Sequence, residues 1–352
     1  MQLPSLRTFD EDAVTQARAH LDRLTKPPGS LGKLEDLAAW WCGATGYPAR
    51  IPARARLYTF AGDHGVTQEG VSPYPSAVTV QMVRNFLAGG AAVNVFARHH
   101  GVELGVVDVG VAGDLSGAAD TPHARFLDRR VRAGTGNMVR ELAMTRVEAE
   151  AAVNVGIRLA MDAAAEGVAI LGAGEMGIGN STSAAAVLSA VAAMPGKLTA
   201  GRGTGVDDAG LARKVAAIDA AIARHDPARD DGIGILSAVG GFEIAAIAGL
   251  CIGGAATGVP VLLDGFISTA GGLVASVLAP DSVPFFAVSH RSAENAHWGM
   301  CRYLRKEALH DLDMKLGEGT GAVLAIDSVR LAAKVLGEMA TFEGAGVSGR
   351  NA

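Results

Sequence analysis

One segment of this chain, from Val168 to Ala186, limits the possible folds more than any other. It begins as a short apolar run, continues through four glycines that end at Gly179, and reaches Asn180–Ser183 just before an alanine-rich run. This order predicts a strand, a glycine-rich loop and the first turn of a helix. The N–H groups and the positive dipole end of such a helix favour phosphate binding, so we expect a phosphate site here.

The same order of apolar run, polar or glycine-marked loop and helical segment recurs along the 352 residues. Short buried strands that alternate with helices predict an α/β fold with a doubly wound parallel sheet. The predicted strands cover 56–61, 104–109, 168–171, 259–263 and 284–288. The main helices between them are predicted over 78–98, 146–166, 182–193, 209–224, 241–253 and 268–278.

Polar residues lie at or just beyond the ends of all five predicted strands. Ligands of doubly wound sheets bind outside the carboxyl ends of the strands. Any one of these residues alone could be a helix cap or a turn residue, but five positions together favour a cleft. The residues are Asp63, His64, Asp108, Glu175, Asp264, Ser289 and His290.

The two ends of the chain have a different, helical pattern. Residues 10–24 and 33–42 are amphipathic and are separated by the rigid turn Thr25–Ser30, and 293–309 and 328–341 also have a helical pattern. We therefore expect a small helical domain built from both termini, 1–44 plus 291–352, and an α/β large domain over 45–290.

Composition and charge exclude several classes of function. The net charge of −5 gives no electrostatic footprint for nucleic acid or for an anionic membrane surface. The three cysteines lack a CxxC spacing, which favours buried reduced thiols over disulfides or a zinc site. The N-terminal residues lack the pattern of a secretory signal, and glycines interrupt the longest apolar stretch. We expect a cytoplasmic protein.

A dinucleotide fingerprint, GxGxxG, is present at Gly172–Gly177. Taken alone it is a weak signal. The acidic residue expected about 20 positions later, which would hold the ribose of NAD, is missing near Lys197. NAD binding, and with it an oxidoreductase, is therefore disfavoured, and the chain also lacks the P-loop motif.

A second glycine loop, Gly201–Asp208, precedes the helix predicted over 209–224. It could form a second wall of the phosphate and ribose site, or it could be only a turn that starts the helix, with Asp207 or Asp208 as the cap. Lys214, inside that helix, could bind the phosphate or could be a solvated surface charge.

Histidines give two weaker candidates. His290, Glu294 and His297 would share one face of a helix, as metal ligands can, although polar packing or substrate contact is favoured over a metal. The pair Asp63 and His64 could be a catalytic dyad, because histidine exchanges protons near neutral pH. A hydrogen bond that only stabilises the loop explains the pair equally well.

A lone carboxylate, Glu318, is flanked by glycines in the segment 315–321. Glycine on each side allows a close approach of the backbone to a ligand and unusual dihedral angles. An acid held there and partly desolvated would have a raised pKa, which suits a general base. The alternative is an ordinary turn with a surface glutamate.

Together, eight segments in this order resemble the nicotinate-nucleotide–dimethylbenzimidazole phosphoribosyltransferases, which prepare the lower ligand of cobalamin. The resemblance covers nearly the whole chain. The segments are TKPPGSLGKL at 25–34, AGDHGV at 61–66, SPYPSAVTVQ at 72–81, GEMGIGNSTS at 174–183, GTGVDD at 203–208, DGFISTA at 264–270, SHRSA at 289–293 and LGEGTG at 316–321.

The resemblance implies a Rossmann-like large domain, a homodimer, and transfer of phosphoribose from nicotinate mononucleotide to 5,6-dimethylbenzimidazole without cofactor or metal. It implies that Glu318 is the catalytic base and that Ser72, Tyr74 and Gln81 belong to the block that lines the base pocket. The predicted substrate contacts are Glu175, Gly177, Ile178, Gly179, Asn180, Ser181, Gly203, Thr204, Gly205, Asp207, Lys214, Asp264, Ser289, His290, Ser72, Tyr74, Gln81, Leu316 and Gly317.

A second hypothesis is a nucleotide-binding sensor that uses the same cleft but has no transferase activity. A sensor has no need for a carboxylate that faces the acceptor. Release of nicotinate from a mixture of both substrates distinguishes the two hypotheses.

Overall fold

The computed structural model describes residues 1–348, which form an α/β fold around one seven-stranded, all-parallel sheet. The spatial order of the strands is β3-β2-β1-β4-β5-β6-β7. The chain therefore reverses its winding direction between β1 and β4, as in Rossmann-like folds, and ligands bind at such switch points. The strands are β1 Ala55–Gly62, β2 Glu103–Gly110, β3 Arg125–Asp128, β4 Ile170–Met176, β5 Val261–Leu263, β6 Phe286–His290 and β7 Ala308–His310.

Fourteen α-helices lie in the described residues. They are α1 Glu11–Leu21, α2 Lys33–Thr45, α3 Ala77–Ala88, α4 Ala92–His100, α5 Arg146–Ala165, α6 Asn180–Ala192, α7 Gly196–Thr199, α8 Asp208–His225, α9 Gly232–Val239, α10 Phe242–Thr257, α11 Phe266–Leu278, α12 His297–Tyr303, α13 Thr320–Glu338 and α14 Phe342–Ala345.

The helices cover both faces of the sheet, which confirms the doubly wound fold class. On β1, Leu57 belongs to a core that it shares with residues of α1, α2, α4 and α13. Its neighbours Tyr58 and Phe60 belong to a second core with α5, α6, α10 and α11. This split follows from strand geometry, since side chains along a strand are directed alternately to opposite faces. Strands buried on both sides have continuous apolar runs, which is the pattern of the sequence.

The sequence analysis did not predict two of the strands, β3 and β7, for a physical reason. β3 is partly exposed and has charged residues at both ends, and β7 has only three residues. Neither gives the apolar run that identifies a buried strand. The prediction of one continuous helix over 293–309 was wrong, because the chain there forms the short helix α12 and then β7.

Two predicted boundaries also change. The helix predicted over 78–98 is divided into α3 and α4 at Gly89, which has a φ of 80°. The loop predicted from Gly172 begins only after Met176, since Gly172 and Gly174 lie within β4. A side chain at Gly172 would collide with Leu57 of β1, so this glycine permits close packing within the sheet.

The terminal helices pack together: α2 contacts both α1 and α13, and Leu24 forms an antiparallel bridge with Thr341. The division into two domains stays a prediction, and residues 349–352 of the predicted small domain lie outside the described part. Cys42, Cys251 and Cys301 are free and buried, as predicted. Among the helices of residues 1–348, none combines the length and the apolar character needed to cross a membrane.

Candidate active site

A cleft lies at the carboxyl ends of β4, β5 and β6, the edge of the sheet where the sequence predicts a ligand, and it borders the switch point at β4. It encloses about 660 Å³ including its opening to solvent. The elements that line it are the end of β4, the start of α6, the loop before α8, the start of α11 and the segment before α13. Ten predicted contact residues line this cleft: Glu175, Gly177, Ile178, Asn180, Ser181, Gly203, Thr204, His290, Leu316 and Gly317.

A smaller cavity of about 280 Å³ shares part of this lining and extends it to three further predicted residues, Ser72, Gly179 and Lys214. The Lys214 ammonium donates a hydrogen bond to Ser181 Oγ at 2.9 Å, at the start of α6. Lys214 is only 1% exposed, which excludes the solvated surface charge. A buried cation beside a helix N-terminus is suited to binding a phosphate.

Burial lowers the pKa of Lys214 to about 8, and the Glu294 carboxylate opposes that shift. An anion bound at this point would stabilise the ammonium form and raise the pKa again. The protein therefore holds a lysine whose charged state is favoured by a ligand of opposite charge.

The second glycine loop reaches this lysine. Gly203 has a φ of 53°, and a β-carbon there would lie 2.9 Å from Ser181 Oγ and 3.2 Å from Lys214 Nζ. Glycine thus lets the loop close over the lysine. Asp207 caps α8, since its side chain accepts a hydrogen bond from Gly210 N at 2.7 Å. The loop therefore fulfils both of the roles that the sequence left open: it lines the cavity, and it caps the start of α8.

Glu175 is the last but one residue of β4 and is buried in the cleft. Asn180 Nδ2 donates a hydrogen bond to Glu175 Oε2. Burial raises the pKa of Glu175 to about 8, and the acids Asp264, Glu243 and Glu318 add to the rise. Glu175 is therefore mostly neutral at pH 7, which removes its repulsion of a bound phosphate.

Glu318 lies in a turn that only unusual backbone geometry allows. Its φ is 65°, and its neighbours Gly317 and Gly319 have φ values of 85° and 102°. A non-glycine residue with positive φ is strained and is often found at functional sites. The turn is held by Thr59 Oγ1, which donates to Glu318 O at 2.7 Å, and by Glu318 N, which donates to Glu175 O at 3.2 Å.

The same turn explains Gly174 of β4. A side chain at Gly174 would collide with the backbone of Glu318 and Gly319. Gly174 therefore lets the turn approach the sheet, whereas Gly177 is the glycine of the apparent dinucleotide fingerprint that lines the cleft.

The Glu318 carboxyl group is buried and directed at the start of α4, where Oε2 accepts a hydrogen bond from Val93 N at 3.0 Å. Burial raises the pKa of Glu318, while the bond from Val93 opposes the rise and the nearby Asp264 adds to it. The direction agrees with the partly desolvated acid that the glycine-flanked sequence predicts. Glu318 itself does not line the cleft, but Leu316 and Gly317 do.

Asp264 supports the Glu318 turn from behind. Its Oδ1 accepts hydrogen bonds from Gly321 N at 2.7 Å and Ala322 N at 3.1 Å, and its Oδ2 accepts one from Gly319 N at 3.1 Å. Burial raises its pKa to about 7, against the effect of these three bonds. Ser289 Oγ in turn donates to Asp264 O at 2.6 Å. Asp264 and Ser289 thus lie behind the turn, outside the cleft lining.

The pair Asp63 and His64 is fixed by structural contacts. His64 Nε2 lies 2.7 Å from Glu243 Oε1, and Asp63 Oδ2 accepts a hydrogen bond from Ala112 N at 2.8 Å. Burial alone would lower the pKa of His64, but Glu243 reverses the shift and raises it. Both residues lie outside the cleft lining, which favours the stabilising role.

The helical arrangement assumed for His290, Glu294 and His297 was wrong. His290 ends β6, and α12 begins only at His297. His297 Nδ1 accepts a hydrogen bond from Ser292 N at 2.9 Å, and burial lowers its pKa to about 3. His297 is therefore a neutral packing residue, whereas His290 and Glu294 line the cleft.

Four predicted contacts remain. Tyr74 is half exposed, Gln81 is exposed on α3, and Gly205 and Asp207 belong to the glycine loop without lining either cavity. The predicted contacts omit seven residues of the larger cleft, of which five lie within the eight quoted segments and the other two directly adjoin one. The missed residues of the larger cleft are Met176, Gly265, Phe266, Ile267, Ser292, Glu294 and Lys315.

Comparisons with known proteins give one consistent result. A family model described as phosphoribosyltransferase matches residues 6–347. A protein of Roseiflexus castenholzii named nicotinate-nucleotide–dimethylbenzimidazole phosphoribosyltransferase is 48% identical over 343 residues, which are 97% of this chain and 96% of that protein. A protein of Geobacter sulfurreducens with the same name is 48% identical over 346 residues, 98% of this chain and 97% of that protein.

A solved structure extends the likeness to three dimensions. The crystal structure of CobT from Thermus thermophilus is 45% identical and superposes with a TM-score of 0.90. The superposition covers 96% of this chain and 99% of that chain. The likeness thus includes both the sheet and the terminal helices.

Proposed function

The chain belongs to the nicotinate-nucleotide–dimethylbenzimidazole phosphoribosyltransferase family, and from this premise we propose that Glu318 is the general base of its reaction. The reaction moves the 5-phosphoribosyl group from nicotinate mononucleotide to 5,6-dimethylbenzimidazole. The products are α-ribazole 5′-phosphate and nicotinate. The observation that carries the proposal is a pair of adjoining cavities that share part of their lining, with the buried Lys214 on the smaller one and residues of the Glu318 turn on the larger one.

The phosphate of the nucleotide binds at the start of α6 in this proposal. Lys214 and Ser181 supply side-chain contacts, and the start of a thirteen-residue helix supplies the positive end of its dipole. The ribose then lies further along the cleft, toward Glu175 and Gly317. Holding the donor in this way contributes through positioning, which converts a bimolecular step into one within a complex.

The departure of nicotinate requires no acid group of the protein. Nicotinate is attached to the ribose through a pyridinium nitrogen, which carries a positive charge before the bond breaks. It departs as a neutral ring nitrogen without needing a proton. The chemistry therefore requires a base for the incoming ring and no acid for the departing one.

The acceptor supplies the proton that Glu318 removes. One benzimidazole nitrogen attacks the anomeric carbon, while the N–H on the other nitrogen must be lost to leave a neutral product. A buried carboxyl group whose pKa is raised is well matched to this proton transfer. Attack opposite the departing nicotinate converts a β-riboside into an α-riboside. Leu316 and Gly317, which line the cleft beside Glu318, would contact the acceptor ring.

The direct test is the variant Glu318→Gln, which keeps the size of the side chain and removes the base. A general base contributes about 10²- to 10⁴-fold, so we expect turnover to fall by that factor while nucleotide binding is kept. Nicotinate release and equilibrium binding of the nucleotide measure the two effects. A matched control is Glu307→Gln, because Glu307 is an exposed acid that lines neither cavity of the site. Near-normal turnover of Glu318→Gln would remove Glu318 from this role.

We further propose that the enzyme is a cytoplasmic homodimer. In this proposal the interface between copies covers large apolar side chains that are exposed on the single chain, among them Val147 at 77% exposed and Trp298 at 58%. The buried free cysteines support a reducing compartment. Sedimentation equilibrium of the purified protein should give twice the chain mass, and a monomer at micromolar concentration would contradict the dimer.

A further inference from the structure

Glu294 is a buried acid in the nucleotide cleft that the reaction proposed above does not use. It is 9% exposed and lines the same cleft as Glu175 and Gly203. Its Oε2 is buried and accepts no hydrogen bond from any residue that the structure describes. An oxygen in this state costs free energy, because it has lost its contacts with water and gained none in return.

Other acids of the site have partners for their oxygens. Glu175 accepts a hydrogen bond from Asn180, Glu318 accepts one from Val93, and Asp264 accepts three from the start of α13. Two further buried carboxyl oxygens without partners, on Asp63 and Glu243, and two such hydroxyl oxygens, on Thr182 and Ser282, belong to residues outside the cleft lining. Glu294 is thus distinguished by an unpaired acceptor oxygen on a residue that lines the cleft.

The position of Glu294 is fixed by two loops. Its backbone N–H donates to Ser292 Oγ at 3.3 Å, and its carboxyl group contacts Gly201 so closely that any side chain at 201 would collide with it. Gly201 begins the glycine loop that closes over Lys214. The carboxyl group therefore lies beside the phosphate end of the cleft.

The chemical groups of the nucleotide determine which of them can donate a hydrogen bond to this oxygen. The phosphate and the nicotinate carboxylate are anions and would be repelled. The pyridinium nitrogen is bonded to the sugar and carries no hydrogen. The donors that remain are the two ribose hydroxyls, and the ribose is joined to the phosphate through a single carbon. The N–H of the acceptor ring is also a donor, but the acceptor lies at the Leu316 end.

We propose that Glu294 accepts a hydrogen bond from a ribose hydroxyl of nicotinate mononucleotide and so makes the site selective for ribose over deoxyribose. The inference rests on the proposed function, since it takes the nucleotide and its orientation from there. A site built to accept a hydroxyl rejects an analogue that lacks it, because the buried acceptor is then left unpaired.

Equilibrium binding in the absence of acceptor gives the cleanest test, because removing a hydroxyl also changes the reactivity of the glycosidic bond. The probes are nicotinate mononucleotide and its 2′-deoxy and 3′-deoxy counterparts. For the unaltered protein we expect one of the deoxy compounds to bind about 10- to 150-fold more weakly, the range for a hydrogen bond to a charged group. Glu294→Ala should weaken binding of the ribonucleotide by a similar factor and bring that deoxy compound to within about threefold of it.

Two variants control the interpretation. Glu294→Gln keeps an acceptor oxygen without the charge and should give an intermediate loss. Lys214→Met should weaken ribo- and deoxyribonucleotides equally, because the phosphate is common to both. Thermal unfolding checks that the variants fold, and Glu294→Ala should be at least as stable as the unaltered protein since it removes an unpaired buried oxygen.

The outcomes separate this inference from the proposed function. If Glu294→Ala retains the full discrimination between ribose and deoxyribose, or if the unaltered protein shows none, the role of Glu294 is wrong even when nicotinate is released normally. If the unaltered protein binds the nucleotide with discrimination that depends on Glu294 but never releases nicotinate, the ribose contact stands and the transferase reaction fails.

Discussion

At the phosphate end of the cleft, contacts come from the first turn of α6 and one buried cation, whereas at the other end a short turn with positive φ carries a buried acid. The first arrangement uses regular structure, a helix start with its dipole, where Asn180, Thr182 and Ser183 already donate their N–H groups to the preceding glycine loop. The second is held by bonds from distant parts of the chain, including Thr59 and Asp264. The comparison suggests that substitutions at the two ends should separate affinity for the nucleotide from turnover.

The largest effect on that comparison should come from Lys214→Met, which keeps the volume of the side chain and removes the cation. We expect the KM for nicotinate mononucleotide to rise about 10- to 150-fold, the range for a charge-assisted hydrogen bond. The turnover number at saturating nucleotide should change by less than about threefold. Steady-state kinetics at fixed acceptor measure both quantities.

A second readout checks that Lys214→Met acts through the ligand. Burial disfavours the charged form of Lys214. Replacing the lysine by methionine should therefore not lower the free energy of unfolding in the absence of nucleotide. A variant that unfolds several degrees earlier and loses turnover and affinity together would contradict a role confined to the phosphate.

The next effect in size should come from Asp264→Asn at the other end. Asparagine has an NH₂ group in place of one of the two carboxylate oxygens of Asp264. The hydrogen bond from either Gly319 N or Gly321 N is therefore lost, and the Glu318 turn is held less firmly. We expect turnover to fall at least about tenfold through misplacement of the base, with the KM for the nucleotide nearly unchanged. The free energy of unfolding should fall by about 2 kcal/mol.

Ser289→Ala is a milder probe of the same support, because Ser289 Oγ donates to the backbone oxygen of Asp264 and its removal leaves the three bonds of the Asp264 carboxyl group in place. Its effect on turnover should have the same direction as that of Asp264→Asn and be smaller. If Asp264→Asn raises the KM for the nucleotide as much as it lowers turnover, the two ends of the cleft are not separable.

The smallest effect is on the pH dependence of stability. The pKa of Glu175 is about 8 in the folded protein, above its ordinary value, so between about pH 5 and pH 8 the folded protein holds a proton that the unfolded chain has released. The free energy of unfolding must then decrease as pH rises through this window. Glu175→Gln removes the titration and should flatten the decrease, by at most about 1.4 kcal/mol per pH unit.

Denaturant unfolding at several pH values between 5 and 8 measures this slope for both proteins. Glu307→Gln, at an exposed site, should leave the slope unchanged. An identical slope in Glu175→Gln would show that Glu175 is ionised in the folded protein, and its neutral state beside the phosphate would then be wrong.

The two ends also differ in how far the sequence predicts them. The phosphate end follows from local order alone, because glycines followed by Asn180–Ser183 predict a helix start, and Gly201–Asp208 predicts a loop beside it. Local sequence also raises Glu318 as a candidate base. It cannot give the bond from Val93 or the support by Asp264, since these partners are 225 and 54 residues away along the chain.

Glycine shows most clearly where local reasoning fails. In the sequence, Gly172 and Gly174 are typical of a nucleotide-binding loop, yet both lie within β4. Glycine is needed at these strand positions because Leu57 and the Glu318 turn occupy the space that a side chain would fill. Glu294 was considered on a helix as a packing residue, a substrate contact or, less favoured, a metal ligand, and its unpaired oxygen becomes visible only when the two loops around it are placed. Short strands such as β3 and β7 likewise depend on neighbours in the sheet.

A crystal structure with nicotinate mononucleotide and an unreactive benzimidazole analogue bound tests the central claim most directly. The account predicts the phosphate within hydrogen-bond distance of Lys214 Nζ at the start of α6, and the Glu318 carboxyl group within hydrogen-bond distance of a ring nitrogen of the analogue. A phosphate bound away from α6, or a Glu318 side chain that stays on Val93 N beyond reach of the ring, would contradict it.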